Sequence, residues 1–328
     1  MVATQISPHA LAICRAGYVD GYIARGQPSR GLYRLSAISI GILVLLRVLC
    51  SSLANVFQKK LVARTGNARV VVTSSLFIVS CLASPGLFLS PWDKLSAAFW
   101  LSCIAAAVLD VPGNVLLVGS LGKSDLSLVG PLNSLKPVVG MFFGILLLHE
   151  FPSFLGLLGV AILVLGTWAL ATTADNNSGK RGVAWLWSPA ARWRYGALLF
   201  TSAAAVCIKP AVQIAGPWPT FAIWSLLCTL LSLLWIRKAL GPTVIREMLT
   251  RQHWNRTLLA SGVMFCGLQG LSIWLFQLIP VSYALALFQL GGVANVYLGH
   301  KIFGESGGWQ RFLVSLVMLL GAACIILG

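Results

Sequence analysis

Ten stretches of mainly apolar residues, each long enough to cross a bilayer as a helix, take up most of the chain. They run roughly over 36–58, 70–90, 96–119, 125–147, 154–172, 195–215, 218–236, 257–277, 281–303 and 308–327. A spanning helix needs about 20 apolar residues. Lipid offers the backbone no hydrogen-bond partners, so only helices or a closed barrel can cross it. These runs are too long and too uniformly oily for barrel strands, which alternate every second residue. The prediction is an all-α polytopic membrane protein with ten transmembrane helices. Short connections make several neighbours antiparallel hairpins.

Composition closes off other classes. Of 328 residues, 58% are hydrophobic and 10% charged, where a soluble domain carries about a quarter charged residues. That is too little polar cover for a water-facing surface. The net charge of +16 would suggest nucleic acid in a soluble chain. Here the basic residues mostly fall between the apolar runs, where anionic headgroups are the natural neighbours. The expected partner is the lipid bilayer, not nucleic acid, and the expected place is the cell (inner) membrane. Residues 1–34 hold Arg15, Arg25 and Arg30 among scattered Gly and Pro, with no long apolar core. They read as an extramembrane arm, not a signal peptide.

Reaction chemistry finds little support. Eight cysteines form no CxxC pair and four histidines lack ligand spacing, so no metal or other cofactor is predicted. No GxxxxGK[ST] loop is present to drive the protein with ATP. A lipid-acting enzyme would need a wet cluster of acids, histidines or a nucleophile; His149 and His300 stand alone.

The hydrophilic connection 173–194 lies midway along the chain, and the two sides resemble each other. At an offset of 155, Ser127 falls on Ser282, Gly144 on Gly299 and Glu150 on Glu305. At an offset of 150, Ala54 falls on Ala204, Val56 on Val206 and Lys59 on Lys209. The expected organisation is an arm (1–34), a first five-helix repeat (35–172), a connecting loop (173–194) and a second five-helix repeat (195–328). Five is odd, so the repeats would be inverted, a recurrent transporter plan with a site at the midplane.

The stretch PLNSLKPVVGMFFGILLLHEFPSFLGLLGVAILVLG resembles the end of an EamA-type half from the drug/metabolite transporter superfamily. LLFTSAAAVCIKPAVQIAGPWP resembles the opening helix of a second half, and SYALALFQLGGVANVYLGHKIFGE its fourth. The likeness spans most of 36–328. It implies ten helices in two inverted halves and passage of small solutes by alternating access. It gives Pro137 the motif's proline position, and Glu150 and Glu305 the helix-end positions. The second half departs from it, with Gly291–Gly292 where the first has Lys136–Pro137.

Ionisable groups are costly at the bilayer centre, roughly 2.5–3.5 kcal/mol on insertion scales, and normally face a partner or a wet cavity. Asp110 lies deep in its run, with Asn114 four residues on and so on the same helix face. It can serve a site or a structural ion pair. Lys136 and Lys209 each precede a proline; each can face a cavity or snorkel to headgroups. Gln269, Gln289 and Asn295 are further cavity candidates. Arg47 is expected at the interface, and Trp274 toward lipid. Glu150 and Glu305 end apolar helices, where a carboxylate opposes the helix dipole. They read as structural anchors, held by backbone donors of the following helix or by a base such as Arg311.

A cavity holding Lys136, Lys209 and Asp110 would be net positive. The expected function is therefore a secondary transporter for a small, anionic metabolite, not an enzyme. Two alternatives stay open: a proton-coupled exporter of amphipathic compounds using Asp110, and a non-transporting structural or assembly protein. Proton coupling and homodimer formation are left open as well. Loop charges at Lys59, Lys60, Arg64 and Arg69, and at Lys180, Arg181, Arg192 and Arg194, place both termini outside by the positive-inside rule. The family resemblance implies the opposite.

Overall fold

The computed structural model describes residues 30–88, 95–129, 131–136, 138–139, 142, 153–172, 182–248, 254–279, 281–305 and 308–327. Its principal helices are α1 (Arg30–Thr65), α2 (Ala68–Ala83), α3 (Ala97–Leu121), α4 (Phe154–Thr172), α5 (Pro189–Ala215), α6 (Pro217–Leu240), α7 (Arg256–Leu278), α8 (Val281–Leu287), α9 (Leu290–Phe303) and α10 (Gly308–Leu327). Their starts follow local chemistry. Ser96, Ser188 and Asn255 accept the Phe99, Ala191 and Leu258 amides through their side chains, satisfying N–H groups the first helical turn leaves free. Pro189 stands at the start of α5, where a missing N–H costs nothing. Asn255, which heads an Asn-Arg-Thr tripeptide, is thus a helix cap.

The ten-span, two-repeat expectation is corrected. Among the described residues, five helices are long and apolar enough to cross a membrane: Ser39–Thr65 within α1, then α3, α5, α6 and α7. Three apolar helices are shorter: α2, the Phe154–Leu170 stretch of α4, and the Gly308–Gly321 stretch of α10. Two runs that read as continuous spans are broken. The described start of the fourth is a single turn (Leu126–Val129) and a 3-10 segment (Pro131–Leu135), with helical residues again from 136. The ninth is divided into α8 and α9 by a turn at Phe288–Gln289. Hydropathy sees apolar residues in both and is blind to these breaks.

The helices form one bundle. α1 lies against α7 and α9, α2 between α6 and α7, α3 along α5, and α4 along α10. Phe99, Cys103, Cys228 and Leu275 are fully buried inside it, while Leu101, Leu165, Leu234 and Leu320 stand more than half exposed. Oily side chains on the outside are what a lipid-facing surface requires. With no hydrophobic drive between helices in lipid, close contact depends on small residues. Gly113 of α3 shows this: a Cβ there would lie 2.8 Å from Thr201 Cγ2 of α5.

Candidate functional site

One wall of the site is a polar stripe on α1. Arg47, Ser51, Asn55 and Gln58 recur at helical spacing in an otherwise oily helix, so they share a face. That face covers about 16 Å of axial length at 1.5 Å per residue. It borders a cavity of about 90 Å³. Asp110 and Asn114 enter from α3, Asn133 and Lys136 from the 3-10 segment and its end, and Thr201 and Ala205 from α5. Gln269 and Ser272 of α7, Gln289 of the α8–α9 break and Asn295 of α9 complete the polar lining, with Phe265, Phe276 and Phe288 as apolar neighbours. Glycine 291, beside the break, lines it too.

Individual contacts fix these groups. Arg47 is 9% exposed; its Nε donates to Ser272 Oγ at 3.1 Å, and its guanidinium lies 3.6 Å over the Phe288 ring. Such a cation–π contact compensates part of the lost hydration. Asn114 Nδ2 donates to the Asp110 carbonyl one turn back at 2.9 Å. Asn55 Nδ2 reaches Asn295 Oδ1 at 3.4 Å, joining α1 to α9. Gln289 donates through Nε2 to the Leu285 carbonyl, while its Oε1 is buried and unpartnered. Lys136 has Arg47, Arg194 and Asp110 within Coulombic reach.

Six of the seven sequence-derived candidates therefore meet at one cavity: Asp110, Asn114, Lys136, Gln269, Gln289 and Asn295. Lys209 does not line it. Its ammonium donates to the carbonyls of Phe276 and of Ile279, the latter at 3.1 Å. These are the free acceptors at the C-terminal end of α7, where a cation is also favoured by the helix dipole. Arg47, expected at the interface, is instead buried at the cavity. Its neighbours Asn55 and Gln58 are not among the sequence-derived candidates, although the four-, four- and three-residue steps from Arg47 are visible in the sequence. Trp274 packs edge-on against Trp218, with ring centroids 5.4 Å apart.

At the residue after Gln58 the stripe ends in an ionic latch. Lys59 Nζ lies 2.6 Å from Glu305 Oε1. The same oxygen accepts the Leu126 amide at 2.7 Å, and Oε2 accepts the Ser127 amide at 2.8 Å. Glu305 thus caps the turn Leu126–Val129 from across the bundle; its donors are not those of the following helix. Arg311 instead bonds Asp125 at 3.1 Å and Ser127 Oγ at 2.5 Å. Gly304, in the left-handed conformation at φ +63°, turns the chain out of α9 so that Glu305 follows directly. Burial alone would raise the Glu305 carboxyl, but Lys59 and Ser127 outweigh it and hold it below its usual value. The other helix-end anchor, Glu150, and the motif proline, Pro137, lie outside the described residues, as does most of the N-terminal arm.

Among the described residues no three His, Cys, Asp or Glu side chains gather as metal ligands. No curated protein matches the chain. Among the solved structures that do, one described only as the crystal structure of a protein is 14% identical, with a TM-score of 0.58 over 88% of this chain and 96% of that one. At that identity the likeness is one of fold. Residues 38–172, which carry the α1 stripe, Asp110, Asn114 and Lys136, match the sequence model of the EamA-like transporter family. Over that stretch this integral, multi-pass membrane protein is similar to the EamA-like transporter family.

Proposed function

We propose that the protein carries a small anionic solute across the membrane through the α1-lined cavity, which opens alternately to the two sides. The observation that carries this reading is the charge of the cavity: Arg47 and Lys136 face it against one carboxyl, Asp110. A buried cation without a partner is costly, and an entering anion relieves that cost. The polar amides of Asn55, Asn133, Gln289 and Asn295 supply further hydrogen bonds to a solute stripped of water.

The latch supplies the gate in this reading. Lys59–Glu305 and Arg311–Asp125 close one end just past Gln58, and the solute leaves by that end only when they separate. Both pairs are short-range and hydrogen-bonded, so they favour one discrete closed arrangement over a graded one.

The test is uptake by purified full-length protein in liposomes. A panel of labelled carboxylates, sulfate and phosphate esters is compared with a panel of amines, with and without a pH gradient. Saturable anion uptake supports the reading. Amine uptake driven by the gradient, with no anion moved, replaces it with the proton-coupled exporter. A folded protein that moves neither favours the structural alternative.

A further inference from the structure

Arg194 is the least compensated charge in the described structure. It is 0% exposed, and none of its three side-chain nitrogens has a hydrogen-bond partner. The Asn133 Oδ1 atom, on the cavity wall, is likewise buried and unpartnered. Arg194 stands on the stripe of α5 that carries Thr201 and Ala205, at positions i, i+7 and i+11. Those two line the cavity; Arg194 stands behind its wall, within Coulombic reach of the lining residue Lys136.

A charge count then bears on the solute. Lys59–Glu305 and Arg311–Asp125 are each neutral pairs. Asp110 and Lys136 are neutral together whether the proton resides on the amine or on the carboxyl. Guanidinium groups keep their charge in proteins, so among the described residues around the cavity Arg47 and Arg194 remain as two positive charges without an acidic partner. Resting on the anion reading above, we infer that the transported solute is a divalent anion, of sulfate, phosphate-ester or dicarboxylate type. Arg47 answers one of its charges and Arg194, with Asn133 and Lys136 between, the other. A cavity of about 90 Å³ suits a compact solute of this kind, since one water molecule needs about 10–15 Å³ of such space.

The experiment uses full-length protein purified in detergent and related probe pairs that differ by one charge: sulfate against methyl sulfate, methyl phosphate against dimethyl phosphate at pH 8, and succinate against propionate. Affinity is read from the ligand-induced rise of the thermal transition. Wild type is expected to bind the divalent member of at least one pair about tenfold or more tightly, the ratio that follows from one charged hydrogen-bonding contact. Arg194→Met, close in volume, is expected to abolish that preference and leave monovalent binding in place. Without ligand its thermal transition should be equal to or above that of wild type, because the substitution removes an unpaired buried charge. Arg194→Lys should keep the divalent preference in part. An unchanged divalent-to-monovalent ratio in Arg194→Met overturns the inference, as does a variant that fails to fold, since that would assign Arg194 a structural partner. Failure of wild type to bind any anion defeats instead the anion reading on which the inference rests.

Discussion

Lys59 and Glu305 lie 246 positions apart in the chain and meet at 2.6 Å. Their contact ties the polar stripe of α1 to the end of α9, and the Glu305 carboxylate also holds the turn Leu126–Val129 through two amides. Glu305→Gln should therefore lower the thermal transition in detergent by several degrees. Breaking a fully buried pair costs about 3–5 kcal/mol; Lys59 keeps 17% exposure, which brings the expected loss to about 2 kcal/mol. An unaltered transition would show that the latch contributes no stability.

The same pair has a pH signature. The folded Glu305 carboxyl sits below its ordinary value of 4.5. A depressed carboxyl contributes stability that is present in full above the unfolded value and lost as pH falls through the folded one. The stability gap between wild type and Glu305→Gln should stay constant from pH 8 to about 5 and narrow only below 4.5. A gap that closes between pH 7 and 5 would contradict this sign.

Gly299 gives an independent handle on the latch. A Cβ at that position would lie 2.5 Å from Glu305 Oε2 and 3.1 Å from the Ser127 amide. Gly299→Ala should therefore destabilise the protein to a degree similar to Glu305→Gln. Gly41→Ala, in α1 with nothing within 4 Å of the added carbon, should leave the transition unchanged or raise it, since Ala is favoured over Gly in a helix by about 1 kcal/mol. Equal effects of the two substitutions in a thermal-shift assay would count against the packing described here.

Lys209 separates a structural cation from a solute-binding one. Its ammonium serves the Phe276 and Ile279 carbonyls at the end of α7. Lys209→Met should lower thermal stability, by about 1–3 kcal/mol for the carbonyls left bare, with the KM for an anion unchanged. A raised KM in a normally stable variant would return Lys209 to the binding site.

How much of this could be read beforehand depended on the range of the interaction. Asp110 and Asn114 share a face by local spacing, and their contact is local. The membrane class followed from oily runs that the structure presents to lipid. The number of spans did not follow, because the 3-10 segment Pro131–Leu135 and the Phe288–Gln289 turn interrupt runs whose hydropathy is continuous. Lys136 and Lys209 look alike in sequence, each before a proline, yet one meets the cavity and the other a helix end; the difference lies in which helix packs opposite. Arg47 was judged by its distance from a helix start, when the polar residues at 51, 55 and 58 already marked its face as the wet one. The Glu305 partners at 59, 126 and 127 are too far along the chain for spacing to disclose.

The most direct trial of the account is anion uptake into proteoliposomes by wild type, Arg47→Gln and Lys136→Met, each verified as folded by its thermal transition. A charged hydrogen bond contributes about 1.5–3 kcal/mol, so each substitution should reduce anion uptake at limiting solute by about tenfold or more. Uptake that persists at the wild-type rate in both variants would mean that the solute does not pass between Arg47 and Lys136.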